Sequence, residues 1–540
     1  MPASAQDQPP VLPDPSQLES QFDEKKLPQS KIVIRSQITG QQPLAPEDDI
    51  QFTLKGLTIS SATVFTEADF RQFYEENLGK NISVSRLFDI ASRITAFYRN
   101  QGYILSSVTV PAQEITDGLA TLIAVEGYID QVSVEGDISS GEKLLTELGA
   151  KIAQSRPLKA DDLERYILLA NDIPGVNATA VLQASQTPGA TDLAIVVSQD
   201  KARAFASINN RGARFSGPVQ GQFGAEVNSI IGGASRTGVR VVGSAQTSEF
   251  KLFEFSHQNV LGTEGTTISL MGRRTLSRPG SALSDLDIES DSSSGRVSIQ
   301  HPILRTRAKS FYVRAGFDIR DTKTEILGED FSEDRIRVVR VGAAYDFVDR
   351  FDGVNLIDIE VSKGLDIFNA TQTGDPFQSR LDAETGFLKV NGSVRRLQRI
   401  APKISLLLDI DGQFTGDGLA ASEELALGGS QFGRAFDPAE ITGDRGVAGR
   451  AELRYAGTLR NKYVEQYQVY VFGDYGIVWN RVNNAYRSVD LGSVGAGLRF
   501  SLTEHVSVYA ELATAIEKTP DYAERWGDTL RGFAGISLNF

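Results

Sequence analysis

From residue 201 to the C-terminus, apolar side chains recur at every second position, segment after segment. A period of two belongs to extended strands whose faces meet different surroundings, and no helix can use it. In residues 311–320, Phe311, Val313, Ala315, Phe317 and Ile319 share one face, and Tyr312, Arg314, Gly316, Asp318 and Arg320 share the other. Arg450, Glu452 and Arg454 alternate with Ala451, Leu453 and Tyr455. Val506, Val508, Ala510 and Leu512 alternate with Ser507, Tyr509, Glu511 and Ala513, and the chain ends Ile536-Ser537-Leu538-Asn539-Phe540 in the same rhythm. Sixteen such segments can be read, near 202–210, 219–231, 236–247, 249–260, 265–275, 293–301, 308–321, 333–348, 352–364, 384–396, 401–413, 448–458, 464–479, 486–501, 504–515 and 529–540.

Two architectures could use them. A soluble β-sandwich or β-helix buries the apolar face in a core. A transmembrane barrel turns it outward to lipid and keeps the charged face in a wet lumen. Several segments exceed the ~5–6 residues of a soluble strand and reach the ~9–11 needed to cross a bilayer at a tilt. With the even number, 50 glycines and a terminal Phe540, the barrel is favoured. No run of 18 or more apolar residues occurs, which excludes a helical membrane protein and says nothing against a barrel.

Acidic residues outnumber basic ones, 69 to 55, for a net charge of −14, a poor balance for nonspecific nucleic-acid binding. There is no cysteine, so disulfide scaffolds, thiolate metal sites and cysteine nucleophiles are all excluded. The three histidines (His257, His301, His505) are scattered and lack zinc-hydrolase spacing. Residues 1–15 lack the basic start and apolar run of a secretory signal. With a barrel downstream, the sequence reads as a mature form carrying an initiator Met.

The first 200 residues follow another plan. Residues 1–48 read as an extension with one short helix from Asp14 to about Lys25, capped by Asp14 and started by Pro15. Its two large apolar residues, Leu18 and Phe22, bury too little to stand alone, so it needs another body to lean on. Residues 40–49 read as a linker. Residues 49–127 and 128–200 then repeat the order strand, helix, helix, strand, strand. In the first unit, residues 51–57 form a strand, and Thr66 with Asp69 opens a helix by a capping box. A second helix covers 84–100, with Leu87, Ile90, Ile94 and Phe97 on one stripe, and strands cover 103–110 and 119–125 around a turn at Asp117-Gly118. The second unit has a strand at 129–135, helices at 143–153 and 160–171, and strands at 176–184 and 192–198.

The block running from Gly102 and Tyr103 to Pro111 and Gln113, then Asp117-Gly118 and Glu126-Gly127, resembles the first periplasmic POTRA domain of two-partner secretion transporters, the TpsB family. The resemblance continues in residues 201–540. His301-Pro302-Ile303-Leu304-Arg305 resembles the family's Tyr-Pro-Leu-x-Arg strand end. Leu427-Gly428-Gly429 to Phe432-Gly433-Arg434-Ala435-Phe436 is similar to the Val-Arg-Gly-Tyr/Phe segment of the sixth extracellular loop, with Ala435 where the family carries Gly. Phe472-Gly473-Asp474-Tyr475-Gly476 is similar to its Phe-x-Asp-x-Gly strand.

What the resemblance implies is a mainly β membrane protein: a sixteen-stranded antiparallel barrel (201–540) behind two α+β POTRA domains (49–127 and 128–200), in the bacterial outer membrane with the POTRA domains in the periplasm. It implies a transporter and not an enzyme, with no cofactor, metal, nucleotide or nucleic acid. Its partners would be outer-membrane lipid and one large secreted β-helical protein, recognised unfolded by the POTRA domains. The long loop, 412–446, would fold into the lumen, with Arg434 of the loop paired to Asp474 of the wall. An assembly factor that inserts outer-membrane proteins is the alternative within the same superfamily.

Overall fold

The alternation of residues 201–540 resolves into a closed sheet. A computed structural model of the chain describes residues 14–22, 33–36, 50–138, 140–459, 464–482, 485–517 and 530–540. Within it sixteen antiparallel strands, from Ala202–Asn209 to Arg531–Asn539, close into a barrel, and each of the sixteen expected segments supplies one strand. The first strand pairs with the last, Ser207 opposite Ser537. Parity sets the two surfaces. Phe223, Val341, Ile410 and Val471 stand half exposed on the outer wall. The inner wall carries charges that pair across strands: Asp318 holds Arg340 at 2.6 Å, and Arg314 holds Asp358 at 2.5 Å. An apolar outer wall around an ionic inner one is the pattern of barrels that cross membranes. No helix among the described residues is long and apolar enough to cross a membrane.

The first N-terminal unit is a three-stranded sheet, Gly56–Ser60 beside Leu119–Val125 beside Ser107–Thr109, under the helices Glu67–Arg71 and Val84–Asn100. The capping box at Thr66 and Asp69 is present, and Ser83 accepts the Arg86 amide at the start of the longer helix. Leu87, Ile90, Ile94 and Tyr98 are buried against Leu122 and Ala124. At about 1.5–3 kcal/mol per large apolar side chain, this stripe is what holds the helix to the sheet.

Two strands differ from the pattern expected. The 51–57 strand breaks into Gln51–Thr53 and Gly56–Ser60, because the chain changes partners: Leu54 N donates to Lys80 O and Lys55 N to Gly118 O. The 103–110 strand shrinks to Ser107–Thr109, because Tyr103 N still donates to Tyr98 O and the following residues turn to finish the helix cap.

The second unit is a four-stranded sheet in the order Val33–Ser36, Val176–Ala184, Ala190–Gln199, Tyr128–Asp137, with helices Glu142–Ala153 and Ala160–Asn171. Its outermost strand comes from the N-terminal extension and runs parallel to Val176–Ala184. This unit sits on the short turns at one end of the barrel. Arg305 binds Asp172 with both arms at 2.7 and 2.8 Å, Arg307 meets Glu164 at 3.0 Å, and Glu264 meets Arg165 at 3.2 Å and Lys151 at 3.3 Å. Arg305 of the His301–Arg305 motif is thus a docking residue. Partial burial works to raise the Glu264 carboxyl, but hydrogen bonds and charge from Arg165 and Lys151 outweigh it and hold it below its ordinary value.

The expected helix at 14–25 forms as Pro15–Glu19 followed by a 3-10 turn to Phe22, and residues 23–25 lie outside the described residues, as does the expected linker at 40–49. The body it leans on is the barrel interior: Leu18 packs on Val242, Phe250 and Leu252.

Candidate functional site

The strand before the long loop continues to Thr415 and the strand after it starts at Arg445, so the loop is residues 416–444, shorter than expected at both ends. Gly412 and Gln413 already pair with Val447 and Gly446, which is why they belong to the wall. The loop lies inside the lumen. Leu427, Phe432, Ala435, Phe436 and Ile441 are buried against Tyr470, Phe472, Val478, Leu491 and Phe533 of the wall. A small hairpin, Leu425–Leu427 with Ile441–Gly443, keeps its backbone paired. Tyr470 and Phe472 therefore face inward without breaking the wall's logic, since the loop covers them. Gly476 leaves room for the same contact: a Cβ there would meet the Leu427 side chain at 2.6 Å.

The turn Phe432–Phe436 carries the charge. Gly433 has φ +74°, and a Cβ there would strike the Leu491 side chain at 2.5 Å, so this position requires glycine. Ala435 needs no such freedom: its φ is not positive, so the alanine in the family's glycine position is accommodated. Arg434 is 2% exposed. Its Nη1 lies 2.8 Å from Glu452 Oε2 and 3.2 Å from Glu511 Oε2, and its guanidinium stacks 3.9 Å from the Phe472 ring centre. The expected partner, Asp474, is 3.6 Å from Arg434 Nε, an ion pair too long for a hydrogen bond. Asp474 Oδ1 is instead spent on the turn itself and the wall: it accepts Gly433 N at 2.6 Å, Arg434 N at 3.3 Å and Ser493 Oγ at 2.5 Å. The two residues named from the sequence lie 3.6 Å apart, and the nearer carboxylates, Glu452 and Glu511, were not named. Their signal was present, since both are carboxylates at inward parity.

The cage is itself braced. Glu452 also accepts Arg454 at 2.7 Å and Arg499 at 2.8 Å, and Glu511 accepts Tyr470 at 2.7 Å and the Arg211 guanidinium. One turn of chain further back, Glu423 of the loop is buried between Arg340 at 2.7 Å and Lys389 at 2.6 Å. The N-terminal helix touches the same loop through Gln17 Nε2, which donates to Ala421 O at 2.7 Å. Glu19 fixes that helix to the wall, accepting Thr275 Oγ1 at 2.6 Å and lying 3.1 Å from Arg320 and 3.4 Å from Arg273. Loop and helix together occupy the interior.

The POTRA-motif residues build the first unit. Gly102, at φ +91°, ends the long helix, Tyr103 enters the core, and Asp117 and Gly118 take positive φ in the hairpin turn. Pro111, with no N–H, stops the strand. The Gln113 side chain then continues the ladder, donating to Thr121 O and accepting Thr121 N, both at 2.7 Å. Glu126 Oε1 accepts Thr63 N, Val64 N and Tyr98 OH at 2.8–3.0 Å, and Gly127 packs on the Leu105 backbone. Partial burial would raise the Glu126 carboxyl, but these donors and the Thr63 hydroxyl hold it below its ordinary value. Burial and the same hydrogen bond push the Tyr98 hydroxyl up.

The model of the family described as haemolysin secretion/activation protein ShlB/FhaC/HecB fits residues 189–500, and that of the ShlB-type POTRA domain fits residues 52–127. The heme/hemopexin transporter protein HuxB of Haemophilus influenzae (strain 86-028NP) is 22% identical over 83% of this chain and 80% of its own. The outer membrane transporter CdiB of Dickeya dadantii is 19% identical over 77% of this chain and 75% of its own. Among solved structures, CdiB from Escherichia coli superposes with a TM-score of 0.73 at 19% identity, over 92% of this chain and 93% of that one. BamA from Haemophilus ducreyi lacking POTRA domains 1–3 reaches 0.52 at 12% identity, over 91% and 100%, a likeness of fold.

Proposed function

The chain belongs to the haemolysin secretion/activation family ShlB/FhaC/HecB, and from that premise we propose how its loop, lumen and periplasmic units act in export. It is an outer-membrane transporter of the two-partner secretion type, which passes a partner protein out through its barrel, with its POTRA domain in the periplasm. The partner, in this proposal, is large, enters unfolded and becomes mostly β-helical outside. The outer wall faces membrane lipid.

One observation carries the proposal: an arginine from a loop inside the lumen is buried among three carboxylates of the wall. A barrel of sixteen strands is wide enough for an aqueous channel and would leak if empty. The cage holds the loop in place at rest, and an incoming client must displace it together with the N-terminal helix. The client docks as an added strand, whose main-chain hydrogen bonds tolerate many sequences. In the second unit the edge beside Val176–Ala184 already carries Val33–Ser36, so Ser107–Thr109 of the first unit is the favoured edge. Folding outside, at about 0.05–0.15 kcal/mol per residue, opposes back-sliding of a long client without any nucleotide.

Deleting the gene tests the transport reading. The culture medium should lose one large protein; broad loss of outer-membrane barrels would instead mark an assembly factor. Arg434→Ala tests the loop, and export at the wild-type level from an inserted, unleaky barrel would refute its role. The exchange Arg434→Asp with Asp474→Arg should not restore function, because the arginine's shorter contacts are to Glu452 and Glu511.

A further inference from the structure

We infer that the inward-folded loop is also the clasp of the barrel's closing seam, with Asp437 as its positioning residue. This rests on the reading that the loop leaves its seat during export, and adds that its leaving unfastens the first strand from the last.

The seam is weak at its outer end. Ala202–Asn209 pairs with Gln220–Asn228 along its whole length. Against the last strand it is bonded from Ala204 opposite Phe540 to Asn209 opposite Gly535, so on both sides its ladder ends at Asn209. The last strand runs on outward to Arg531, still paired on its other side, Leu512 opposite Gly532 and Ala513 opposite Arg531. The first strand has by then turned away. One residue bridges the opening: Asn210 N donates to Ala534 O at 3.3 Å, its Nδ2 donates to Gly532 O at 3.0 Å and its Oδ1 accepts Ala534 N at 2.8 Å.

Beyond Asn210 the two sides meet through the loop. Asp437 is 4% exposed and reaches both ways. Its Oδ1 takes Arg531 Nη2 at 2.7 Å, from the last strand. Its Oδ2 takes Arg214 N at 3.1 Å and lies 3.4 Å from Arg214 Nε, just past the first strand. Ala435 O accepts Arg531 Nη1 at 2.9 Å, and Glu440 lies 3.4 Å from Arg214 Nη2. The cage around Arg434 joins the same arrangement, because Glu511 binds Arg211 as well as Arg434, and Arg211 stacks 4.2 Å from the Phe533 ring centre. A carboxylate with one oxygen on each side of a short seam, itself buried, is a fastener that salt screens much less than a surface pair. Asp437 is three residues from Arg434 on the same turn, so withdrawing Arg434 withdraws both arms. The outer end of the seam, beyond the ladder that ends at Asn209, is then left on the contacts of Asn210, and the lumen can widen there where a client emerges.

The chain has no cysteine, so the test can use engineered pairs. Ser207 and Ser537 lie opposite each other in an antiparallel pair, within disulfide reach. Amide hydrogen exchange is measured on the full chain in nanodiscs without client, and unboiled gel mobility checks that the barrel is folded. Asp437→Asn should speed exchange in residues 205–210 and 531–539 about tenfold and leave Lys309–Ile326 unchanged. Adding the Ser207→Cys/Ser537→Cys disulfide should return the seam to its slow rate while the loop stays fast. Arg531→Gln should act like Asp437→Asn, and decides the matter if that variant does not fold. Faster exchange in the loop with the seam at the wild-type rate would overturn the clasp. The disulfide in the wild-type chain should cut client export severalfold, reversed by reductant; undiminished export through the stapled seam would overturn the widening. Neither result bears on whether the loop moves, which the Arg434→Ala export assay reads separately.

Discussion

Replacing Arg434 by alanine should loosen the loop by an amount the cage itself sets. Breaking a buried ion pair costs about 3–5 kcal/mol, mostly from the charges left behind. Here the residue left worst off is Asp474. Glu452 keeps Arg454 and Arg499, and Glu511 keeps Arg211 and Tyr470, whereas Asp474 loses its cation and retains only the hydrogen bonds of Ser493 and the Gly433–Arg434 turn. The cost therefore falls near the lower end, about 3 kcal/mol, and at about 1.4 kcal/mol per decade the fraction of time the loop spends out of its seat rises about a hundredfold. A Ser430→Cys variant of the full chain reports this through labelling by a polymer-tagged maleimide too bulky to enter the plugged lumen. The labelling rate should rise about a hundredfold in Arg434→Ala. It should rise less in Arg434→Lys, which keeps the charge and loses the planar stack on Phe472. Wild-type labelling rates for Arg434→Ala in a folded barrel would refute the argument that burial of this charge is what seats the loop.

Gly433→Val should act through the backbone, combining a φ of +74° with the overlap against Leu491. A loss of about 1–3 kcal/mol in loop seating follows, read by the same labelling assay. Gln113→Ala removes two hydrogen bonds to Thr121 and should cost the first unit about 1–2 kcal/mol, seen as faster amide exchange at residues 119–125 with no change in the barrel. The Glu264 carboxyl is held below its ordinary value when docked. Its contribution is therefore complete above the ordinary glutamate range and is lost as pH falls through the lowered value. A distance measured between spin labels on the second unit and the barrel should broaden on acidification, and Glu264→Gln should remove that dependence.

How much of this was legible without coordinates differs by residue. The Val84–Asn100 helix is readable because its capping serine and its apolar stripe act within one segment. The alternation of Phe311, Val313 and Phe317 is likewise local, so strand and face follow together. Residues 51–57 misled because Leu54 and Lys55 turn to backbone partners far along the chain, and 103–110 because Tyr103 and Ser106 are held in the turn that finishes the helix cap. In the loop, Arg434 and Asp474 could be named from their motifs. Glu452 and Glu511 could not be joined to them, since parity gives the face of a strand but not its height on the wall relative to a loop.

The sequence by itself determined the period of two, the two faces of its cleanly alternating segments and the local devices that start and stop the helices, because these depend on neighbours within a few positions. Only the tertiary structure decided which carboxylates surround Arg434, that the N-terminal helix lodges inside the barrel, and that Asp437 spans the seam. Closing the sheet brings residues hundreds of positions apart to the same depth, and the stagger and tilt that set this depth belong to the whole barrel and to no single strand.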